Sequence, residues 1–403
     1  MGNRREMRMK VPQKLSVRVA ALILVIAVVL VMAPRPGGRA YALEIKARAA
    51  VLMDYESGRI IFSQNPDVQL PPASVTKLMT MLLIAESIDS GRAKWDDLIR
   101  TSKNAAGMGG SQVYLREGEE MTLAEMTKAI AMVSANDAST AVAEYLYGSV
   151  ELFIQKMNQR AQELGLKNTN FQNEHGLPDP KHYSSAHDLA LIARELIRHP
   201  KILEWTSTWI SYLRDGEFFL RNTNDLIQSY RGADGLKTGH TEEAGYCLCA
   251  TAEVEGLRFI SVIMGAETNQ VRVDESTKLL NYGFRNFARA AVASQGEKLG
   301  TIRVRRGNPQ DVPVGTSTDY AVLVERGKER FIETKLLPEE QIKLPLKRGQ
   351  QIGTLIVMSG KEEVGRTAVV ALQDVKQANF VVRFFRWLGD VVRGWFGRGA
   401  KGE

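Results

Sequence analysis

An α/β domain interrupted by a helical insert, followed by a small all-β domain and a terminal amphipathic helix, is the fold class this sequence predicts. Three observations predict it. Strand-like apolar stretches within 49–62 and 244–265 bracket a mostly helical block over 96–200. After about residue 290, short alternating stretches recur between Gly and Pro turns. From residue 380 the apolar positions return to helical spacing.

Each element follows in order. Within 49–62, AVLMDYESGRIIF reads as an apolar strand, a polar turn with Gly58 and a second strand. Pro71 and Pro72 stop extended structure and position Ser74 as a helix start, with helical apolar spacing at Leu78, Leu82, Ala85 and Ile88 over 76–90. The middle block supplies helices in MTLAEMTKAIAMVSAND, ELFIQKMNQRAQELG and SAHDLALIARELIRH. AGYCLCATAEVEGLRFISVIMGA is an alternating hairpin, and a helix follows at about 269–289. TIRVRRG, YAVLVERG, IKLPLKRG and GTLIVMSG are the strands expected of a small β-sandwich. The domain reading is therefore a leader at 1–42, a first domain at 43–289, a β domain at 290–379 and a tail at 380–403.

The chain of 403 residues carries a formal charge of +7, which invites a nucleic-acid reading until the charge is located. Residues 1–42 hold eight Lys/Arg against Glu6, and the remainder holds 45 basic and 45 acidic residues. No nucleic-acid footprint is left. The leader itself has a basic start, an apolar run over 19–33 and the small-x-small sequence Ala40-Tyr41-Ala42. It reads as a secretory signal cut after Ala42, with an uncleaved N-terminal anchor as the rival reading, so the protein is expected outside the cytoplasm.

Two cysteines, Cys247 and Cys249, sit two apart on a strand, at or beyond disulfide reach, and read as buried free thiols. The five histidines are scattered and no cluster has metal-ligand spacing, so no metal or cofactor is expected. In the tail, Arg383, Arg386, Asp390 and Arg393 recur every three or four places opposite a face that includes Phe384, Phe385, Leu388 and Trp395. Carrying those charges through a bilayer centre would cost about 10 kcal/mol, so the helix is expected to lie on a membrane surface rather than span it. A helix packed on its own protein or on a second copy is the competing reading.

The chemistry concentrates in LPPASVTKLMT. Ser74 and Lys77 stand three apart on one helical turn, the only Ser-x-x-Lys in the chain. By itself that is also what an N-capping serine and a surface lysine look like. If the amine is buried facing the hydroxyl, desolvation lowers its proton affinity and makes it a base. Lys237-Thr238-Gly239 is the only Lys-Thr-Gly and opens a strand, where Gly239 would allow close backbone approach and Lys237 and Thr238 would offer a charge and a donor to a carboxylate. Backbone N–H groups at Ser74 and His240 could form an oxyanion hole. Ser-x-Asn occurs three times, at Ser63, Ser102 and Ser134. Ser134-Ala135-Asn136 is the choice, because it interrupts an apolar helical block where idle polar groups would be costly.

With Ser-x-x-Lys, Ser-x-Asn and Lys-Thr-Gly in that order, the chain resembles the penicillin-recognising serine hydrolases, and within them the low-molecular-weight D-alanyl-D-alanine carboxypeptidases. PPASVTKLMTMLL, GMGGSQVYL, NTNFQNEHGLPDPKHYSSAHDLALIAREL and DGLKTGHTEEAGYCLCATA are similar to that family's hallmark stretches, and the resemblance runs from about residue 43 to the end. It implies a serine β-lactamase/transpeptidase-like α/β (α+β) domain with an all-helical subdomain, the small β domain, and a tail that rests on the outer face of the cytoplasmic membrane. The implied partners are a peptidoglycan stem peptide ending in D-Ala-D-Ala and the β-lactams.

The implied roles are Ser74 as nucleophile, Lys77 as its base, and Ser134 as relay to the leaving amine. Asn136 would orient Lys77 and the substrate amide, and Lys237 and Thr238 would hold the terminal carboxylate. Arg272 is either a second carboxylate contact or a surface arginine. A β-lactamase is the nearest rival, but between Ser134 and Lys237 no Glu has an Asn four residues on, the pattern with which its most familiar group deacylates. A D,D-endopeptidase or transpeptidase would use the same groups on a different leaving group or acceptor. A non-catalytic peptidoglycan scaffold on this fold would have no need to keep Ser74, Lys77, Ser134 and Lys237 together.

Overall fold

The computed structural model describes residues 43–381 together with 384, 385 and 387. The expected signal, its cut at Ala42 and most of the tail helix lie outside the described residues.

The first domain is built on a five-stranded antiparallel sheet in the order Ile60–Gln64, Ala49–Asp54, Leu257–Ala266, Gly245–Val254, Ala233–Thr241. The strand nearest the N-terminus pairs with one that closes the domain, Ala49 opposite Met264 and Asp54 opposite Phe259. The sequence between those two strands supplies the other three strands of the sheet and, between Ile60–Gln64 and Ala233–Thr241, a largely helical insert. Ala49–Asp54 is buried at every position, as its nearly unbroken apolar composition requires. The helices Asn269–Asn286 and Ala186–Leu196 both pack on these strands. Phe259 is fully buried and meets Phe284 edge-on at 5.0 Å, where Gly283 leaves room for its ring.

The insert is a helical layer around Lys77–Asp89, which packs against Leu123–Val133, Asn136–Tyr147, Val150–Glu163 and Ala186–Leu196. A helix apolar on all sides belongs inside a bundle, and ten of the 13 residues of Lys77–Asp89 are buried. The Leu123–Val133 helix starts from a reciprocal capping box in which Thr122 accepts from the Glu125 N–H and Glu125 from the Thr122 N–H. It ends at Ser134, and Asn136–Tyr147 begins two residues later. The apolar run therefore breaks at Ser134-Ala135-Asn136, as its polar residues predict.

Four expectations change in the structure. Ser74 is not a helix N-cap: it lies inside the 3-10 turn Ala73–Thr76, with the α-helix starting at Lys77 and no side chain capping either. The helix expected to 289 ends at Asn286, and the strand Phe287–Ala293 runs through the expected boundary. IKLPLKRG is not a strand; Leu346 alone bridges Val375, because Pro345 has no N–H to give a ladder. The hairpin Ile210–Leu213 with Phe218–Arg221 has no counterpart among the expected elements.

The β domain has a five-stranded sheet in the order Gly300–Arg303, Asp311–Gly315, Glu362–Ala371, Gln351–Ser359, Ile332–Pro338, and the pair Phe287–Ala293 with Tyr320–Glu325. Its core is formed by residues such as Val312, Val314, Ile352 and Val369, all unexposed. Cys247 and Cys249 are free and buried, as expected. Among the described residues no helix is long and apolar enough to cross a membrane, and no group of metal-ligating side chains assembles.

Phe259→Ala is expected to cost about 3–5 kcal/mol of unfolding free energy, measured by denaturant titration, because a buried aromatic between sheet and helix leaves a cavity that neither can close.

Candidate active site

The site lies where the Ala73–Thr76 turn meets the edge strand Ala233–Thr241. Ser74 belongs to a turn whose entry residue, Ala73, has a left-handed φ of 47°. Two bonds hold that turn: the Val75 N–H donates to Pro72 O at 3.1 Å, and the Thr76 hydroxyl donates to Ala73 O at 2.8 Å. The turn fits between two glycines. A Cβ on Gly239 would sit 2.9 Å from Pro72 O and 3.0 Å from the Ser74 nitrogen. A Cβ on Gly176, whose φ is +91°, would fall 1.9 Å from Ala73 O. The close approach that the Lys-Thr-Gly strand allows is thus to the backbone of the Ser74 turn.

Lys77 is fully buried, and its amine meets three oxygens: Ser74 Oγ at 3.1 Å, Asn136 Oδ1 at 2.7 Å and the His175 backbone oxygen at 2.6 Å. Burial pushes its pKa down to about 7, with Glu174 and then Asp137 pulling the other way. Once neutral, the amine has two N–H groups and one lone pair. The carbonyls of Asn136 and His175 can only accept, so both N–H groups go to them. The hydroxyl of Ser74 can donate, so the lone pair faces Ser74. This arrangement can take a proton from Ser74.

Ser134 stands beside this cluster as the C-cap of its helix, in the left-handed region at φ 64°, a conformation a non-glycine residue keeps only when its surroundings enforce it. Its hydroxyl is buried and has no hydrogen-bond partner among the described residues. Asn136 is the pivot of the site. Besides accepting from Lys77, it donates through Nδ2 to Gly109 O at 2.7 Å and through its backbone N–H to Ser111 O at 2.7 Å. The other Ser-x-Asn matches lie elsewhere: Ser63 is exposed on a strand, and Ser102 accepts from the Ala105 N–H as a helix cap.

Lys237 is fully buried with its amine donating to Thr238 O at 2.9 Å, and burial, then Lys77 and Arg272, holds its proton affinity well below that of a free lysine. The Thr238 hydroxyl pairs with that of Thr223 at 2.6 Å. The His240 side chain is exposed, its ring stacked on Tyr246 at 4.0 Å. Arg272 is not a surface arginine. It is 7% exposed, and Nη1 donates to Gly239 O at 3.0 Å and Cys247 O at 3.2 Å, bracing the strand from behind Gly239.

Sequence reasoning assigned no role to Asp137 or to the 173–176 turn. The Asp137 carboxylate accepts the Val113 and Leu115 N–H groups and so ties the 107–115 segment to the Asn136–Tyr147 helix. His175 supplies the lysine's second carbonyl, and its imidazole is pushed down to about 3, by burial first and then by Lys77. The hallmark stretches GMGGSQVYL and NEHGLPDP contain the backbone partners of both. Which backbone oxygen would meet a lysine 98 positions away has no signal in the sequence.

Residues 37–268 match the family described as D-alanyl-D-alanine carboxypeptidase, and residues 287–377 match the C-terminal domain of penicillin-binding protein 5. D-alanyl-D-alanine carboxypeptidase DacF of Bacillus subtilis is 41% identical over 362 residues, 89% of this chain and 93% of that protein. The crystal structure of penicillin-binding protein 5 from Haemophilus influenzae aligns with a TM-score of 0.76 at 33% identity, covering 83% of this chain and 99% of that one. Penicillin-binding protein D2 from Listeria monocytogenes, in its ampicillin-bound form, aligns at 0.56 and 35% identity, covering 60% of this chain and 99% of its own.

Gly176→Ala is expected to displace the Ser74 turn and to lower the rate of acylation by a penicillin at least about tenfold, since a misplacement of about 1 Å at a nucleophile costs up to about 10²-fold. Acylation followed against pH should rise through about 7, the pH at which Lys77 gives up its proton, and Asn136→Ala should weaken that rise by removing one of the two carbonyls that orient the amine.

Proposed function

The chain belongs to the D-alanyl-D-alanine carboxypeptidase family, and from that premise we propose that Ser74 is its acylated nucleophile and Lys77 the base that activates it. The protein is a serine-type D-Ala-D-Ala carboxypeptidase: it removes the terminal D-alanine from peptidoglycan stem peptides and is acylated by penicillins. The observation that carries the residue assignment is the direction of the Lys77 lone pair, which the two carbonyl acceptors leave with one place to point.

In this reading Ser74 Oγ attacks the carbonyl carbon of the penultimate D-alanine while its proton passes to Lys77. The resulting oxyanion is held by the backbone N–H groups of Ser74 and His240. The Ser134 hydroxyl, which has no hydrogen-bond partner among the described residues, hands its proton to the departing amine and takes in return the proton that Lys77 received from Ser74, so the C–N bond to the terminal D-alanine breaks and Lys77 is neutral again. Water then hydrolyses the ester, with Lys77 again accepting the proton. Asn136 holds both Lys77 and the substrate amide. Lys237 and Thr238 receive the terminal carboxylate. An arriving anion would raise the proton affinity that burial, then Lys77 and Arg272, have lowered at Lys237. Arg272 supports this by fixing the strand through Gly239 O.

Peptidoglycan lies outside the cytoplasmic membrane, and the leader at 1–42 and the tail at 380–403 complete the proposal: export, then peripheral attachment to the outer face of that membrane. The exposure of Phe380, Phe385 and Trp387 supports the attachment.

Ser74→Ala should reduce D-alanine release from a peptide ending in D-Ala-D-Ala by about 10⁴-fold or more, and benzylpenicillin should leave a mass adduct on Ser74 alone. Release persisting in that variant, or an adduct elsewhere, refutes the nucleophile. Co-sedimentation of the mature chain with liposomes should disappear when 380–403 is deleted.

A further inference from the structure

One buried carboxyl in the site has no part in this chemistry. Glu174 is 1% exposed, and the residue after it gives Lys77 its backbone acceptor. Its Oε1 accepts from the Thr140 hydroxyl at 2.5 Å, and Thr140 stands one helical turn beyond Asn136, the lysine's other acceptor. Its own backbone oxygen accepts from the Thr80 hydroxyl at 2.6 Å, and Thr80 lies three residues beyond Lys77 on the same helix. Glu174 is thus fastened to each of the three elements that hold the amine. Oε2 is buried without a hydrogen-bond partner among the described residues. A carboxylate kept like this is costly unless a cation lies near enough to offset its desolvation.

The other charged groups around this pair do less, Asp137 acting on Lys77 after Glu174. His175 Nε2 lies 3.9 Å from Glu174 Oε1, but His175 and His182 are both held neutral, chiefly by burial, at about 3 and about 4. Asp137, on the Asn136–Tyr147 helix, accepts from the backbone N–H groups of Val113, Leu115 and Ala138, and Glu144 on the same helix accepts from Asn104 Nδ2. The Lys237 amine donates to Thr238 O, and Lys77 lowers its proton affinity. Burial raises the proton affinity of the Glu174 carboxyl, while the Thr140 hydrogen bond, its own backbone N–H and then Lys77 pull it back toward the carboxylate, and that charge in turn raises the lysine's hold on its proton.

We propose that Glu174 is a positioning residue, the buried counter-charge that governs the pH at which Lys77 becomes neutral and Ser74 becomes a nucleophile. The proposal rests on Lys77 as the base.

The test is the acylation rate constant of the full mature chain with a fluorescent penicillin, measured by stopped flow from pH 5 to 9. Removing a negative charge lowers the lysine's proton affinity, so Glu174→Gln should move the acid limb to lower pH by about one unit, and one unit below the wild-type midpoint it should be about fivefold faster than wild type. Glu174→Asp keeps the charge and should hold the limb near its wild-type position. Thr140→Val removes the hydrogen bond that favours the carboxylate and should shift the limb the same way as Gln. An acid limb left in place or moved to higher pH by Glu174→Gln overturns the proposal, and if thermal melts show that variant unfolded, an unmoved limb in Thr140→Val does so. A wild-type enzyme without an acid limb near 7 refutes Lys77 as base, and this inference with it. A wild-type limb that the variants fail to move refutes the Glu174 role alone.

Discussion

An amine taken out of water must find acceptors for its protons, and the site is organised around that need at Lys77. The lysine is drawn into the interior by the helix it starts, Lys77–Asp89, which is apolar on nearly every side. Its amine cannot escape to solvent, so the chain brings oxygens to it: Asn136 from the break between two helices and the His175 carbonyl from a turn 98 residues away. The third neighbour is Ser74, and it differs from the other two in being able to donate. Burial and hydrogen bonding thus do separate things. Burial makes the amine a usable base near neutral pH, while the two carbonyls aim it.

The same need explains why so much of the surrounding backbone is tightly seated. Asn136 can hold the lysine only if it is itself held, and the 107–115 segment does this by taking its Nδ2 and backbone N–H and by hanging on Asp137. Ser74 can face the amine only if its turn is pushed up against it, which Gly176 and Gly239 permit from either side. Ser134 keeps its position at the cost of a left-handed backbone at φ 64°. A helix cap at Ser74 would have committed its hydroxyl to a backbone N–H. The 3-10 turn leaves that hydroxyl free of any capping bond and in contact with the Lys77 amine.

Two buried lysines in one site create a second constraint. Lys77 lowers the proton affinity of Lys237 in the same direction as burial does. Burial is the largest influence on how firmly Lys77 keeps its proton, and Glu174 and then Asp137 oppose it.

The sequence by itself determined the elements and the residues available for chemistry. Apolar runs and their periods located the central strands, the buried helix and the small β domain, and the order of three short motifs singled out Ser74, Lys77, Ser134, Asn136 and Lys237. These signals are local, a matter of which neighbours along the chain are apolar or polar. Local pattern misplaces what depends on partners. IKLPLKRG has strand composition but Pro345 cannot pair, and Arg272 looks like any helix-surface arginine until Gly239 O and Cys247 O arrive beneath it. The tertiary structure alone decided that Ser74 sits in a 3-10 turn, that His175 contributes a carbonyl rather than its ring, and that Glu174 and Asp137 lie within electrostatic reach of Lys77. The physical reason is that desolvation and hydrogen-bond geometry are set by residues distant in sequence, and no local pattern encodes which of them will close over a buried charge.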